Sequence, residues 1–331
     1  MFIVSYFPIL IPIILFPILI YHKEIANATG LIDYPNERKK HFKPVSKIGG
    51  IYFLGSAIIT IICLYNLHNE RFIFSFIILT SGLFLIGLID DKLEISAISR
   101  LILQFVVITI SIITDFNLNV ETLSTGILSK EIQIFNGSIL FTIFCIISLV
   151  NATNLLDGKD GLAGSIFVVF LIYFLFNHVG NFKIILINLL LSSVLFLFYN
   201  IRGKIYLGNS GSYLIGGIMS FITIQNYNYS NFHIEIIFII FYIYGLDMLR
   251  VYLERLFRGV HPFTPENNHL HHYLFLYFKN KYLALFGYIT LAYAPLLLLF
   301  IYENYLFIIV ISFIIYFLSL LYFKKANNLS V

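Results

Sequence analysis

The sequence predicts an all-α integral membrane bundle of about eleven spans, a single membrane-embedded domain over 1–331, with its N-terminus outside and its C-terminus in the cytoplasm. Three observations predict it. Of the 331 residues, 59% are hydrophobic and only 11% charged, whereas a soluble domain carries about a quarter charged residues. The apolar residues gather into runs of about twenty, the length that crosses about 30 Å of hydrocarbon as helix. These runs lack the period-two alternation of a barrel, and in lipid only helices or closed barrels satisfy every backbone polar group. Soluble globular and disordered classes are thereby excluded.

The expected spans are 2–22, 48–67, 72–89, 98–114, 134–154, 161–180, 184–201, 210–227, 234–253, 282–302 and 304–323. Ala26-Asn27-Ala28 imitates a signal-peptide cleavage site after the first run. However, the opening MFIVSYF has no basic residue and the run exceeds a signal core, so a retained span is expected. Cys63 and Cys145 both lie inside apolar runs and read as small buried hydrophobes, with no disulfide framework or zinc site to be built from them.

Orientation follows from Lys and Arg in alternate loops. With the N-terminus outside, 18 of the 21 basic residues fall on the inner side and only Arg71, Lys130 and Lys183 on the outer. The Gly-rich, polar and acidic segments 31–50, 90–100, 151–161, 200–212 and 255–281 all fall on the inner side too. The longest outer segment, about 115–133, holds Asp115, Glu121 and Glu131 without a concentrated constellation. The chemistry is therefore expected at the cytoplasmic face. The net charge of +4 is small and no nucleic-acid partner is expected.

Five inner segments and one inner helix end carry candidate chemistry, each beside a plainer reading. Asp90-Asp91 can bind a divalent cation or supply a base, because close carboxylates raise one another's affinity for protons and metals; alone the pair also reads as a solvated helix end. In NATNLLDGKDGLAG, Asn151, Asn154 and Asp157 recur every three residues and share a face if the helix continues, with Asp160 following. Gly158, Gly161 and Gly164 permit close backbone approach. Such a segment suits a sugar, a nucleotide or a metal, or is a polar turn; its spacing fails the EF-hand pattern. YNIRGKIYLGNSGSYLIGG places Asn200, Arg202 and Lys204 before a Gly/Ser turn that opens a helix. Such a turn offers N–H groups and a positive dipole to phosphate, or is merely a connection packed through Gly216-Gly217. Tyr206 could stack on a planar base.

In HPFTPENNHLHHYL, His269, His271 and His272 could bind zinc, but no obvious fourth ligand adjoins them; donors to a diphosphate, or chance histidines in a loop, are the alternatives. Asp247 and Arg250, three residues apart at an inner helix end, are functional candidates or a structural ion pair. The basic loop 31–50, with Lys47, suits phosphate or anionic lipid, or is the positive-inside signal itself.

Taken together, these motifs resemble the polyprenyl-phosphate N-acetylhexosamine-1-phosphate transferase family, in its bacterial undecaprenyl-phosphate N-acetylglucosamine-1-phosphate transferase branch. The resemblance runs from Leu31 to His272. In order, it rests on Arg38-Lys39 and His41 ending in Gly49-Gly50; Asp90-Asp91; Asn151-x-x-Asn154-x-x-Asp157-Gly158-x-Asp160-Gly161; Gly208-x-x-Gly211-Ser212; and His269-x-His271-His272.

The resemblance implies transfer of a sugar-1-phosphate, by default GlcNAc-1-phosphate, from a UDP-N-acetylhexosamine to undecaprenyl phosphate, with release of UMP, at the inner membrane. It implies Mg²⁺ or Mn²⁺ as cofactor, membrane lipid as surroundings, and leaves room for a homodimer. Residue by residue, Asp90, Asp91, His271 and His272 are the expected catalytic set. Asn151, Asn154, Asp157, Asp160, Asn200, Tyr206, Gly208, His269 and Lys47 are expected to bind substrate, and Asp91, Asn154 and Asn209 the metal. Asp157 and Asp160 would hold the uridine portion and Tyr206 stack on its base. Direct attack by a phosphate oxyanion and a covalent aspartyl intermediate both stay open.

Two departures stand out. The family's Gly-Asp-x-Gly-Ser turn reads Gly208-Asn209-Ser210-Gly211-Ser212, a neutral amide where a metal-ligating carboxylate is usual. Loss of that charge should weaken the metal site. Glu266 stands where Asp is usual before the histidines. Two rivals follow: a catalytically impaired relative that binds polyprenyl phosphate, and a secondary transporter, whose expected internal repeat is missing.

Overall fold

The computed structural model of the chain describes residues 10–35, 43–63, 69–177, 182–229, 232–261, 264, 266–302 and 304–327. Arg38, Lys39 and His41 of the first inner loop lie outside the described residues. The chain divides into two compact units, Met1–Asn119 with Ile139–Asn226, and Val120–Ser138 with Tyr227–Val331. Helices dominate both, joined among the described residues by two small antiparallel strand pairs.

The first unit departs from expectation at its start. Residues 11–29 form three short helices, α1 (Ile11–Ile14), α2 (Phe16–Ile20) and α3 (His22–Thr29), rather than one continuous span. Pro12 and Pro17 stand in the first turns of α1 and α2. A proline lacks the N–H for an i to i−4 bond, so the helix restarts at each. Gly30, at φ +71°, closes α3 in the left-handed region. Strand β1 (Ile32–Asp33) then pairs with β2 (Val45–Ser46), Ile32 opposite Ser46. Ser46 also pairs in parallel with Ile205, and Tyr206 N–H donates to Ser46 O at 2.8 Å. This strap ties the 201–207 turn to the start of α4 (Gly49–Cys63).

Helix α5 (Glu70–Leu93) is capped by Asn69, whose side chain accepts from Arg71 N–H at 3.0 Å. It ends at Glu94, in the left-handed region at φ 48°, which leaves Asp90 and Asp91 in the last turn. Ser96 caps α6 (Ala97–Thr114). The two helices are bonded reciprocally, Ser75 Oγ to Ser111 O at 3.0 Å and Ser111 Oγ to Ser75 O at 2.8 Å. Small polar residues are what lets helices approach closely in lipid.

Strands β3 (Thr122–Thr125) and β4 (Lys130–Gln133) form a hairpin in the second unit, within the long outer segment for which no concentrated constellation was expected. Both Glu235 carboxylate oxygens accept from its tip, from Gly126 and Ile127 N–H at 3.1 Å each. The chain continues in the first unit with α7 (Ser138–Leu156), α8 (Leu162–Asn177), α9 (Phe182–Asn200) and α10 (Gly208–Tyr229). Helix α10 is buried along almost its whole length despite Ser212, Ser220, Thr223 and Asn226. A Cβ on Gly216 would stand 2.7 Å from Val150 Cα and one on Gly217 2.4 Å from Leu83 Cδ1, so both glycines serve close approach.

The second unit adds α11 (Ile234–Phe257), the short α12 (Leu270–Phe278), α13 (Lys281–Leu298) and α14 (Tyr305–Ala326). By length and apolar composition, seven described helices can cross a bilayer: Glu70–Leu93, Ala97–Thr114, Phe135–Leu156, Phe182–Asn200, Ile234–Phe257, Lys281–Leu298 and Tyr305–Ala326. Gly49–Cys63 and Leu162–Asn177 are shorter apolar helices. The molecule is an all-α polytopic membrane bundle.

Candidate active site

The first unit gathers four separated sequence segments at the N-terminus of α10. Asp91 caps that helix from outside: its Oδ1 accepts from Asn209 N–H at 3.1 Å and its Oδ2 from Ser210 N–H at 3.0 Å. An anion is favoured there by the unsatisfied N–H groups and the helix dipole. The approach requires glycine on several sides. Gly208 adopts φ +69°, and a Cβ there would stand 2.7 Å from Asp91 Oδ2. A Cβ on Gly50 would lie 2.8 Å from Gly211 N, and one on Gly87 2.4 Å from Asn209 O. Gly87→Ala is therefore expected to overpack this contact and cost about 1–3 kcal/mol of stability in thermal unfolding. Lys47 Nζ lies 3.0 Å from Asp33 and 3.7 Å from Asp91.

Beside the cap runs a chain of hydrogen bonds. Asp90 Oδ2 accepts from Arg100 Nη1 at 3.1 Å, Asn209 Nδ2 at 2.9 Å and the Tyr213 hydroxyl at 3.0 Å. Asn154 Nδ2 donates to Asn209 Oδ1 at 3.0 Å and to Ser212 Oγ at 2.9 Å. The three residues expected to hold a metal, Asp91, Asn154 and Asn209, are thus in direct contact through Asn209.

Asn151 takes a different direction, donating to Gln104 Oε1 of α6 at 2.9 Å. Three residues advance a helix by about 300°, so each step of the Asn-x-x-Asn spacing rotates about 60° away from a common line. Asn200 is bonded at both ends of its amide, accepting from Gly161 N–H at 2.9 Å and donating to Ile205 O at 2.8 Å. It holds the 157–161 turn against the 201–207 turn. Arg100, Tyr213 and Asp33 went unnoticed in the sequence. Tyr213 follows Asn209 by four residues and so shares its helix face, the one signal that could have found it.

The turn after α7 is acidic. The Tyr206 hydroxyl bonds the Asp160 carboxylate, and burial, followed by the Asp160 charge, raises the phenol's pKa. Burial, then the neighbouring Asp91 and Asp160 carboxylates, push the Asp157 pKa well above the ordinary range, with Lys47 opposing. A carboxyl whose folded pKa exceeds its unfolded one favours the fold when protonated. Its contribution therefore falls as pH rises from the unfolded carboxylate range and levels off above the folded pKa. In EDTA, Asp157→Asn is expected to melt higher than the parent at pH 8, with the gap narrowing as pH falls.

The second unit holds the histidines. Asp247 Oδ1 accepts from Arg250 Nη2 at 2.8 Å and the Tyr316 hydroxyl at 2.9 Å. Its Oδ2 accepts from Leu270 N–H at 3.1 Å, at the start of α12, and faces His269 Nδ1 at 2.9 Å. That pairing places the proton on Nδ1 and leaves Nε2 as the ring atom for a ligand. His269 and His271 stack at 5.4 Å between centroids, and His271 and His272 lie 4.1 Å apart. Glu266 receives Arg258 Nη2 at 2.7 Å, a bond that holds its carboxyl below the usual range.

Carboxylates, amides and helix-terminal N–H groups thus meet at the N-terminus of α10 in a multi-pass membrane protein. Residues 73–227 match the model of glycosyl transferase family 4. The undecaprenyl-phosphate alpha-N-acetylglucosaminyl 1-phosphate transferase of Pasteurella multocida is 33% identical over 282 residues, 77% of this chain and 74% of that one. Its namesake in Haemophilus influenzae is 31% identical over 272 residues, 77% and 74% of the two chains. That of Thermotoga maritima is 27% identical over 251 residues, 75% and 74%. The chain belongs to glycosyl transferase family 4 and is a membrane transferase.

Members of the family generally depend on a divalent metal. Among the described residues no three His, Cys, Asp or Glu side chains form a ligating group by themselves. The donor chemistry nevertheless fits a hard divalent cation that uses one or two carboxylates and completes its shell with water and substrate phosphates. Asp91 and the Asn154 amide oxygen offer such donors beside the N-terminus of α10, where Asn154 meets Asn209 and Asp91 accepts from its N–H.

Proposed function

We propose that the chain transfers an N-acetylhexosamine-1-phosphate, by default GlcNAc-1-phosphate, from a UDP sugar to undecaprenyl phosphate, releasing UMP and opening synthesis of a cell-surface polysaccharide. An oxygen of the lipid phosphate forms a bond to the β-phosphorus of the donor, and the bond from that phosphorus to the bridging oxygen breaks as UMP leaves. The observation that carries this reading is the Asp91-capped N-terminus of α10, bonded through Asn209 to Asn154. The names of the relatives support the same substrates.

In this reading Asp91 and the Asn154 carbonyl hold Mg²⁺ or Mn²⁺, which supplies charge neutralisation to the diphosphate when bound. Asp157, Asp160 and Tyr206 take the uridine portion, Lys47 a phosphate, and Gly208 allows the turn to approach it. His269, His271 and His272 donate to the diphosphate or sugar. Asn151 and Asn200 act by bracing the turns that carry these groups. The loops bearing the site face the cytoplasm, on the inner side of the cytoplasmic membrane, and the whole chain works as one transferase.

The test is UMP release by purified protein given undecaprenyl phosphate, Mg²⁺ and a panel of UDP sugars, with UDP-GlcNAc expected to be used. Release with none of them would overturn the reading. Asn209 favours a second reading, a family member that binds polyprenyl phosphate without turnover. Tight binding of the lipid together with no UMP release would select it.

A further inference from the structure

Asp90 and Asn209 are engaged with one another in a way that a pair of metal ligands is not. Three donors converge on the single Asp90 oxygen Oδ2: the Arg100 guanidinium at 3.1 Å, the Asn209 amide at 2.9 Å and the Tyr213 hydroxyl at 3.0 Å. The carboxylate is 4% exposed, and its charge is balanced by Arg100 at the ion-pair distance of 3.1 Å. At 2.9 Å from an anionic oxygen only the N–H side of an amide can stand, which orients Asn209. Its Oδ1 is thereby turned to accept from Asn154 Nδ2 at 3.0 Å. Asn154 Nδ2 also donates to Ser212 Oγ at 2.9 Å. Both polar ends of the Asn209 side chain are therefore engaged within the protein.

We propose that Asp90 in this chain is a positioning residue, and that with Arg100 and Tyr213 it orients the Asn209 amide, which in turn holds Asn154 in place. Aspartate at position 209 would put a second carboxylate oxygen where the amide nitrogen now stands, 2.9 Å from Asp90. Two anions that close need a proton or a cation between them. Asparagine removes that need, so the start of α10 is organised by hydrogen bonds rather than by a bound ion. The amide is in this sense a replacement for the cation's structural role, whereas Asp91 and Asn154 keep their proposed role toward the ion. This inference rests on the proposed transfer reaction for its kinetic readouts but not for its thermal ones.

The experiment is a double-mutant cycle on the full-length protein, comparing the parent with Asp90→Asn, Asn209→Asp and the pair, each melted in EDTA and in Mg²⁺ and assayed for UMP release. Asn209→Asp alone is expected to melt several degrees lower in EDTA and to regain most of that loss in Mg²⁺, with the parent shifting less. The pair removes the two facing anions, so its loss in EDTA should be smaller than the sum of the two single losses, although Arg100 and Tyr213 then meet an amide at position 90. Asp90→Asn should lose turnover by ~10–100-fold, as removal of a residue supporting a ligand does, with the Mg²⁺ concentration for half-maximal rate unchanged. Tyr213→Phe, a milder change, should show a smaller loss of the same kind should Asp90→Asn fail to fold. A raised Mg²⁺ requirement in Asp90→Asn, or melting of Asn209→Asp in EDTA equal to the parent's, would overturn the proposal. If the parent releases UMP from no donor, the transfer reaction fails while the thermal arms still report the coupling of the two residues.

Discussion

Asp91→Ala is expected to reduce UMP release by about 100-fold or more, the loss that follows removal of one preorganised electrostatic group. Two effects combine in it. The α10 N-terminus loses an acceptor on each of two N–H groups, Asn209 and Ser210, an effect worth about 1 kcal/mol of stability by analogy with an N-cap. The charge expected to meet the cation is lost as well. Asp91→Asn separates the two, since it retains an acceptor oxygen and removes only the charge. It should melt closer to the parent than Asp91→Ala yet turn over about as poorly. Steady-state UMP release together with thermal unfolding in detergent checks both, and turnover of Asp91→Asn within roughly twofold of the parent would remove Asp91 from the working site.

Asp247→Ala is expected to be the most destabilising single change in the second unit. The carboxylate is buried and receives Arg250, Tyr316, His269 and the Leu270 N–H. Its removal leaves the Arg250 guanidinium with Glu254 at 2.7 Å as its remaining carboxylate and strips the Tyr316, His269 and Leu270 donors of their buried acceptor, a combined loss of about 3–5 kcal/mol. For a chain of this size that corresponds to a fall in Tm on the order of 10 °C. Glu266→Gln offers the contrast: it loses an ion pair with Arg258 at the surface, worth about 1 kcal/mol or less. Equal melting temperatures for Asp247→Ala and Glu266→Gln would show that the buried hub does not hold α12 in place. His269 is positioned by the same carboxylate, so Asp247→Ala should also lose turnover beyond what its stability explains.

Much of this architecture was legible before any coordinates. Apolar runs of spanning length specify helices because lipid offers no other way to satisfy the backbone, and the segments around Asp90, Asn154 and Asn209 declared themselves by polar residues next to those runs. Two local features were less legible. The restart of the chain at Pro12 and Pro17 was hidden by their apolar surroundings, although proline itself breaks the bond ladder. The β3–β4 hairpin was hidden because its anchor, Glu235, lies over a hundred residues away from Gly126 and Ile127.

The sequence by itself determined that this chain is a helical membrane protein and which polar segments border its spans, because hydropathy and residue type are properties of the chain read locally; the resemblance carried by the ordered motifs added the transferase class. Only the tertiary structure decided the partners: Asp91 on the N–H groups of α10, Arg100 and Tyr213 on Asp90, Asn151 turned toward Gln104, and Asn200 bonded between two turns. A hydrogen bond depends on distances of about 3 Å between residues far apart in the chain, and neither spacing nor composition records which of several nearby amides and carboxylates meet.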